Sequence, residues 1–523
     1  MGISFRSCAA LFGAAVSAAL CGCATYLDET HQMRAAWENG AYESAAKEAA
    51  DISVQRQGSA DELVWKLESG AASRGAGKFK DSEKTLDEAY VMTQKFDAEP
   101  EVSVADEGKA LLTNLSYLPY RGYNYDRIMM GTYQALNCMQ NGKPDDAAVM
   151  LKRIQFFQED SSRKNAERIA KGLQAAKDVS GKKTEEGDTA YNYNAAMKDP
   201  AFQNQLKKAY GEVPQTANSA KADYLNPFAY WLDGIYFMYC GKDGSDFTRA
   251  VDSFRLARTM VSADIFAQDM AAAEKVSQGY PPPKMTYVIY EGGSAPKRTQ
   301  IRIDIPLFIV TRDVPYVGAA FPKLEYNANW SPNIQIAAGG APQKLETIAD
   351  MDSIVRREFD DELPLVIAKT LLSAGTKAAA QYGLQEAVRG GGNDYAVLAV
   401  MIAGSVYQAS MNDADLRTWT TLPKQIKVAQ FPTPADLKMS VEGAQVSLYD
   451  APANIVWVRK VGAQSKAAVA VFALGKISLP AISAQAKAVA PSTASCVSAA
   501  PAQSAGQVKN TESKPISENK DKK

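Results

Sequence analysis

Three consecutive prolines, Pro281, Pro282 and Pro283, divide the chain into two stretches that obey different periods. A proline lacks the backbone N–H and fixes φ, so no helix continues through such a run. With Gly279 and Tyr280 it reads as a stiff extended linker, 279–283. Before it, from Ala24 to Gln278, Ala, Leu, Lys and Glu are frequent and apolar residues recur at i, i+3 and i+4, the helical period. After it, 286–290 and 301–305 alternate as strands do. The expected fold is an all-α helical-repeat solenoid over 23–278 and an α+β domain over 284–478.

The helical half repeats itself. One unit runs from Met33 through Gly40, Tyr42 and Ala45, and another from Gly70 through Gly77, Phe79 and Leu86. A third runs from Ala135 through Gly142 to Ile154, and a fourth from Gly234 through Ala250 to Ala257. Gly40 and Gly77 are separated by close to the ~34-residue period of tetratricopeptide repeats. Small residues let paired helices approach, and a turn glycine supplies φ > 0 between them. A stack of such hairpins offers an extended face suited to another protein. Residues 179–223 are polar and aperiodic and read as a long connection with one helix.

Two aromatic clusters stand out. Tyr120, Tyr123, Tyr125 and Tyr133 follow Tyr117, and Phe228, Tyr230, Trp231, Tyr236, Phe237 and Tyr239 form the second. Helical spacing reads as core; the alternative is an aromatic groove for a peptide or glycan. Tyr120, Tyr123, Tyr230 and Trp231 are the candidate contacts.

In the second half, helices are expected over 354–363, capped by Asp352 or Ser353, from Pro364 to 388, and over 395–409 after a Gly-rich break at 389–393. The last of these is too short for a membrane span. Strands follow at 425–431, 437–441, 445–449, 454–461 and 467–474. Residues 479–523 are Ala-, Ser-, Pro- and Lys-rich and read as a disordered tail.

The first residues carry an address. One charge, Arg6, precedes an apolar run over 8–20, and Leu20-Cys21-Gly22-Cys23 closes it. This is signal-peptide anatomy over 1–22, with the last four residues matching the site at which lipoprotein signal peptides are cut before a lipidated Cys. The expectation is an acylated Cys23 in a bacterial cell envelope. Ala24 after it points to the outer membrane, with the protein facing the periplasm.

Charge and composition exclude several classes. Net charge is −1 and no long basic block occurs, so nucleic acid is not an expected partner. His31 is the only histidine, and nothing near it suggests an orienting carboxylate. Cys138, Cys240 and Cys496 are isolated and suggest neither a disulfide framework nor a zinc site; Cys138 and Cys240 read as buried thiols. Residues 72–79 (ASRGAGKF) lack the first glycine and final hydroxyl of a phosphate loop. No cofactor or metal is expected.

Three segments carry a family likeness. They are 125–137 (YDRIMMGTYQALN), 358–364 (EFDDELP) and 414–423 (ADLRTWTTLP), the last with Leu416 where the pattern has Thr. Over roughly 23–474 the chain resembles a family of bacterial lipoproteins with tetratricopeptide-like repeats and a C-terminal α+β domain, to which no activity is assigned. The resemblance implies topology and localisation rather than chemistry.

Two constellations invite chemistry. Glu358, Asp360, Asp361 and Glu362 could pair for glycoside hydrolysis, but crowding on one short helix reads as a solvated face. Asp415, Arg417 and Trp419 share one face if extended. Asp415 is expected to pair with Arg417 or a backbone donor and Trp419 to anchor on the core, locking the lead-in to the strand after Pro423; a ligand or partner contact is the alternative. The expected function is a lipid-anchored envelope scaffold, not an enzyme, that binds an envelope protein through its repeats, within cell-wall or surface-polymer assembly. The alternative is a glycan-binding protein or hydrolase acting on peptidoglycan.

Overall fold

The computed structural model describes residues 26–99, 118–181, 191–211, 225–306, 316–390 and 414–475. The signal peptide, Cys23, Tyr117, the expected helix at 395–409 and the C-terminal tail lie outside them.

The N-terminal half is built of helices. After the short α1 (Tyr26–Glu29) come α2 (His31–Glu38), α3 (Tyr42–Gln55), α4 (Glu62–Gly75), α5 (Phe79–Ala98), α6 (Asn124–Gln140) and α7 (Pro144–Val179). Beyond α8 (Tyr193–Ala196) and α9 (Pro200–Tyr210) follow α10 (Pro227–Cys240), α11 (Gly244–Met260) and α12 (Asp264–Ser277). Neighbours pair as antiparallel hairpins, and one turn recurs. Gly40 and Gly77 take φ of 74° and 75°, the left-handed region that glycine enters without a Cβ penalty. In each turn the glycine N–H reaches back three residues and the next N–H five: Gly40 to Trp37 and Ala41 to Ala36, Gly77 to Arg74 and Lys78 to Ser73. Gly142 and Lys143 bond Met139 and Cys138 in the same way.

Glycines also set the closeness of the pairs. A Cβ on Gly70 would lie 2.5 Å from Leu86, one on Gly131 2.7 Å from Ile154, and one on Gly234 2.6 Å from Phe254. In each case the first helix of a hairpin offers a bare backbone to a large side chain on the second.

The strands after the proline run are β1 (Met285–Gly292), β2 (Lys297–Pro306), β3 (Tyr316–Glu325), β4 (Ile336–Ala338), β5 (Ala341–Pro342) and β6 (Glu346–Asp350). Helix α13 (Met351–Gly390) intervenes before β7 (Gln425–Pro432), β8 (Lys438–Val441), β9 (Ala444–Ser447), β10 (Ala453–Lys460) and β11 (Ala468–Leu474). The main sheet has the order β11-β10-β1-β7-β6, with β1 and β10 parallel and the other neighbours antiparallel. A small sheet, β5-β4-β8-β9, covers one face, where Val288, Val456 and Val458 meet Ile336, Met439 and Val441. This double cover is why β1 and β10 are buried along almost their whole length.

The other face of the main sheet packs on the helices. Tyr287, Ile289, Ile455, Trp457 and Phe472 belong to the same core as Trp65, Tyr133 and Trp231. The secondary structure does change at 279–283, yet the core runs across that boundary. A second core joins α7, α8 and α9 to the β2–β3 hairpin and α13 through Leu173, Phe202, Ile303, Phe321 and Leu371. The connection after α7 thus packs into this core through α8 and α9, and Gln205 exchanges hydrogen bonds with the backbone of Asp304.

Three expectations are corrected in detail. Pro364 does not separate two helices but lies inside α13, on a helix held from both sides by the second core. The helix is capped by Asp350, which accepts from the Ser353 N–H at 3.1 Å, rather than by Asp352 or Ser353. Cys138 is buried and free, but Cys240, half-buried at the end of α10, is disulfide-bonded rather than a free thiol. Among the described residues no helix is long and apolar enough to cross a membrane.

Candidate functional site

The segment 414–423 threads between the helices and the main sheet. Its lead residue is Arg417, whose guanidinium forks onto Asp415, Nε to Oδ1 at 2.8 Å and Nη2 to Oδ2 at 2.7 Å. The remaining nitrogen, Nη1, donates to Asp61 Oδ1 at 3.0 Å and to the Leu118 carbonyl at 2.8 Å. The pair suggested by the spacing forms, and it also clamps the segment to the helical half. Such forked bonds are charge-assisted and fix geometry as well as energy.

Three residues later the chain meets a buried carboxylate. Glu68, in the middle of α4, accepts from the Thr420 N–H and hydroxyl on Oε1 at 2.6 and 2.7 Å. On Oε2 it accepts from the Thr421 N–H and hydroxyl at 3.1 and 2.6 Å, and the Tyr26 hydroxyl adds a fifth donor at 2.8 Å. Burial pushes the Glu68 carboxyl up, and the threonine donors oppose that shift. Trp419 is wholly buried, donates to Thr421 Oγ1 at 2.8 Å and sets its ring edge-on to Tyr133, 5.8 Å between centroids. Arg74 continues the seam: its guanidinium lies 4.7 Å from the Trp457 ring and donates to Asn137 Oδ1 at 2.6 Å, and burial pulls it down to about 10.

The carboxylate run at 358–362 is not a solvated face. Glu358 is buried and accepts from the N–H and side-chain amide of Asn124 and from the Tyr125 N–H, capping the N-terminus of α6. Burial and the neighbouring Glu362 push its carboxyl up to about 8, against those donors. Glu362 pairs with Arg168, Asp361 with Arg357 at 3.3 Å, and Asp360 with Arg356 at 2.6 Å. Of the four only Asp360 stays off the buried side. Burial arises because α13 docks on α7 and β3 while Glu358 reaches the N-terminus of α6. These acids hold structure, so a hydrolytic reading gains nothing from them.

The aromatic candidates are likewise interior. Tyr120 hydrogen-bonds Asp126, and Tyr123 stacks on Tyr125 at 5.3 Å with the Arg298 guanidinium 4.1 Å from its ring. Trp231 donates to Asp269 at 2.8 Å, and Tyr230 is buried beside it. With Arg417 and Trp419 also buried, the residues singled out as contacts pack the protein together; they are not an open contact surface. Asp415 and Tyr123 are half-buried at the same seam.

What is open is a groove that the sequence did not mark. It has a volume of about 910 Å³ and lies along α4, α5 and residues 141–143. Of its four acids, Glu83 accepts from Asn141 and Lys143, both at 2.6 Å, Glu88 and Glu62 share Lys66 at 2.7 and 3.7 Å, and Asp87 accepts from the Gln134 amide at 2.5 Å. Lys80, Lys84 and Lys95 line it without an ion-pair partner among the described residues. Val91, 51% exposed, adds an apolar spot. The signal in sequence is three lysines on α5, Lys80 and Lys84 one turn apart and Lys95 three turns further on, which composition alone does not separate from ordinary surface charge. No group of His, Cys, Asp or Glu among the described residues is placed to hold a metal ion.

Compared with known proteins, the chain matches no family model, no curated protein and no solved structure.

Proposed function

We propose that the chain is a lipid-anchored scaffold of the bacterial cell envelope, tethered through Cys23, whose helical half binds an acidic segment of a partner protein. The observation that carries this reading is the groove on α4 and α5. Glu83 is paired with Lys143, Glu62 and Glu88 share Lys66, and Asp87 accepts from Gln134, while Lys80, Lys84 and Lys95 have no ion-pair partner among the described residues and are the cations left to meet a partner. A partner segment with carboxylates spaced to meet these lysines and one apolar side chain for Val91 complements it. The hairpins follow the tetratricopeptide-like plan in our reading; the recurring turn at Gly40, Gly77 and Gly142 and the small-on-large contacts at Gly70, Gly131 and Gly234 support it. That plan, with the lipid anchor and the C-terminal α+β half, is the one the family resemblance implies, facing the periplasm from the outer membrane.

The test is crosslinking in intact cells followed by capture of the full chain and identification of what comes with it. The wild type is compared with the triple variant Lys80→Glu, Lys84→Glu, Lys95→Glu. A partner present with the wild type and lost with the variant supports the groove. A partner retained unchanged by the variant removes the groove from the account. In parallel, Cys23→Ala should abolish release of the mature, acylated form; unchanged processing and membrane attachment would remove the anchor.

A further inference from the structure

Resting on the acylated Cys23 of the preceding section, we propose that the folded body lies directly on the bilayer. The pole built from α1, the start of α2 and the 56–61 turn sits against the lipid headgroups. Chain length sets the limit. Tyr26 is 7% exposed, and its hydroxyl lies 2.8 Å from Glu68 Oε1 and 2.9 Å from the Thr418 carbonyl oxygen. Its ring packs on Trp65 at 5.7 Å, and its carbonyl accepts from the Thr30 hydroxyl at 2.9 Å. Tyr26 is therefore a fixed point of the body.

Only Ala24 and Thr25 separate Tyr26 from Cys23. Three extended peptide steps reach at most about 11 Å. The acyl chains hold Cys23 at the hydrocarbon boundary, and the headgroup layer above it is roughly 5–7 Å deep. What remains, on the order of 5 Å, leaves no room for a water-filled gap of more than a layer or two. A body of this size has a radius of gyration of about 22 Å. A tether half that length restricts tilt as well as height, so one face is presented to the membrane.

The residues around the fixed point identify that face. Asp28, His31, Gln32 and Ala35 are exposed on α1 and α2, and Arg56 pairs with Glu29 beside them. Arg417 joins Asp61 of the adjacent turn to the 414–423 segment, so the seam between the two halves lies at this same pole. Among the described residues the pole holds no basic cluster of the kind that draws proteins to anionic lipid. The short tether is what positions it, and lengthening the tether should free it.

The experiment uses Gln32→Cys, an exposed position on α2, in the full acylated chain reconstituted in phosphatidylcholine vesicles. Labelling of that position by a bilayer-impermeant maleimide is followed by mass spectrometry of its peptide. The comparator carries the same substitution and about twenty Gly/Ser residues inserted between Ala24 and Thr25, a flexible spacer. Labelling should be about tenfold slower with the natural tether than with the spacer, as expected for a site held at the interface. Equal rates, with Cys23 shown by mass to be acylated in both, would overturn the membrane-seated pole and leave the anchor standing. An unacylated Cys23 would overturn both.

Discussion

Glu68 and Thr421 lie 353 positions apart in the chain and meet in its core, the threonine hydroxyl donating to Glu68 Oε2 at 2.6 Å. With Thr420 and Tyr26 adding their donors, a single carboxylate ties the first helix, the fourth helix and the segment before β7 to one point. A buried carboxylate is tolerated only when its lone pairs are filled, and here they are.

Removing that carboxylate should therefore be expensive. Glu68→Ala leaves two hydroxyls and two backbone N–H groups without their acceptor and should destabilise the protein by about 3 kcal/mol or more. Glu68→Gln keeps one acceptor oxygen and should lose less. Urea midpoints of the two variants check this; a Glu68→Ala midpoint equal to the wild type would show that the seam is not a stabilising contact.

Two other acids give the protein a pH dependence of known sign. Burial pushes the carboxyls of Asp126 and Asp269 up to about 7 from an ordinary 3.8. Both are favoured in the neutral form when folded, so their contribution is complete below about pH 4 and is lost as pH rises through about 7. The double variant Asp126→Asn, Asp269→Asn keeps an acceptor for the Tyr123 N–H and for Trp231 and should flatten that decline. Unfolding followed from pH 5 to 8 in both proteins should show the wild type losing stability relative to the variant; parallel curves would contradict it.

The hairpin glycines make a packing prediction. A Cβ at position 234 would lie 2.6 Å from the Phe254 ring, inside any real contact. Gly234→Ala should destabilise by about 1–3 kcal/mol through overpacking, despite the higher helix propensity of alanine. Combining it with Phe254→Leu should recover part of the loss, because the obstructing ring is gone. Thermal unfolding of the single and double variants measures this, and a stabilised Gly234→Ala would contradict the close approach.

Local pattern carried much of this architecture. The strands at β1, β7, β8, β10 and β11 follow from alternation bounded by turn residues, and the Asp415–Arg417 pair follows from spacing. Residues whose roles depend on distant partners were not legible. Glu68 reads as one more charge on an amphipathic helix until Thr420 and Thr421 are folded onto it. Glu358 reads as one of four surface acids, because nothing nearby in sequence announces that it caps α6. The short strands β4, β5 and β6 lack the length for a period to show. The proline run marks a real change of secondary structure, but periodicity says nothing of whether two halves share a core.

That shared core is the claim most open to a single measurement. Residues 24–278 and 284–475 can be produced separately and their unfolding in urea recorded beside that of the full chain. Each piece exposes half of the surface on which Tyr133, Trp231, Tyr287 and Trp457 meet. The expected result is that neither piece unfolds cooperatively alone, while the full chain does and mixing the pieces restores a transition. Two separately cooperative pieces, each as stable alone as in the full chain, would contradict the account and make the proline run a boundary between independent domains.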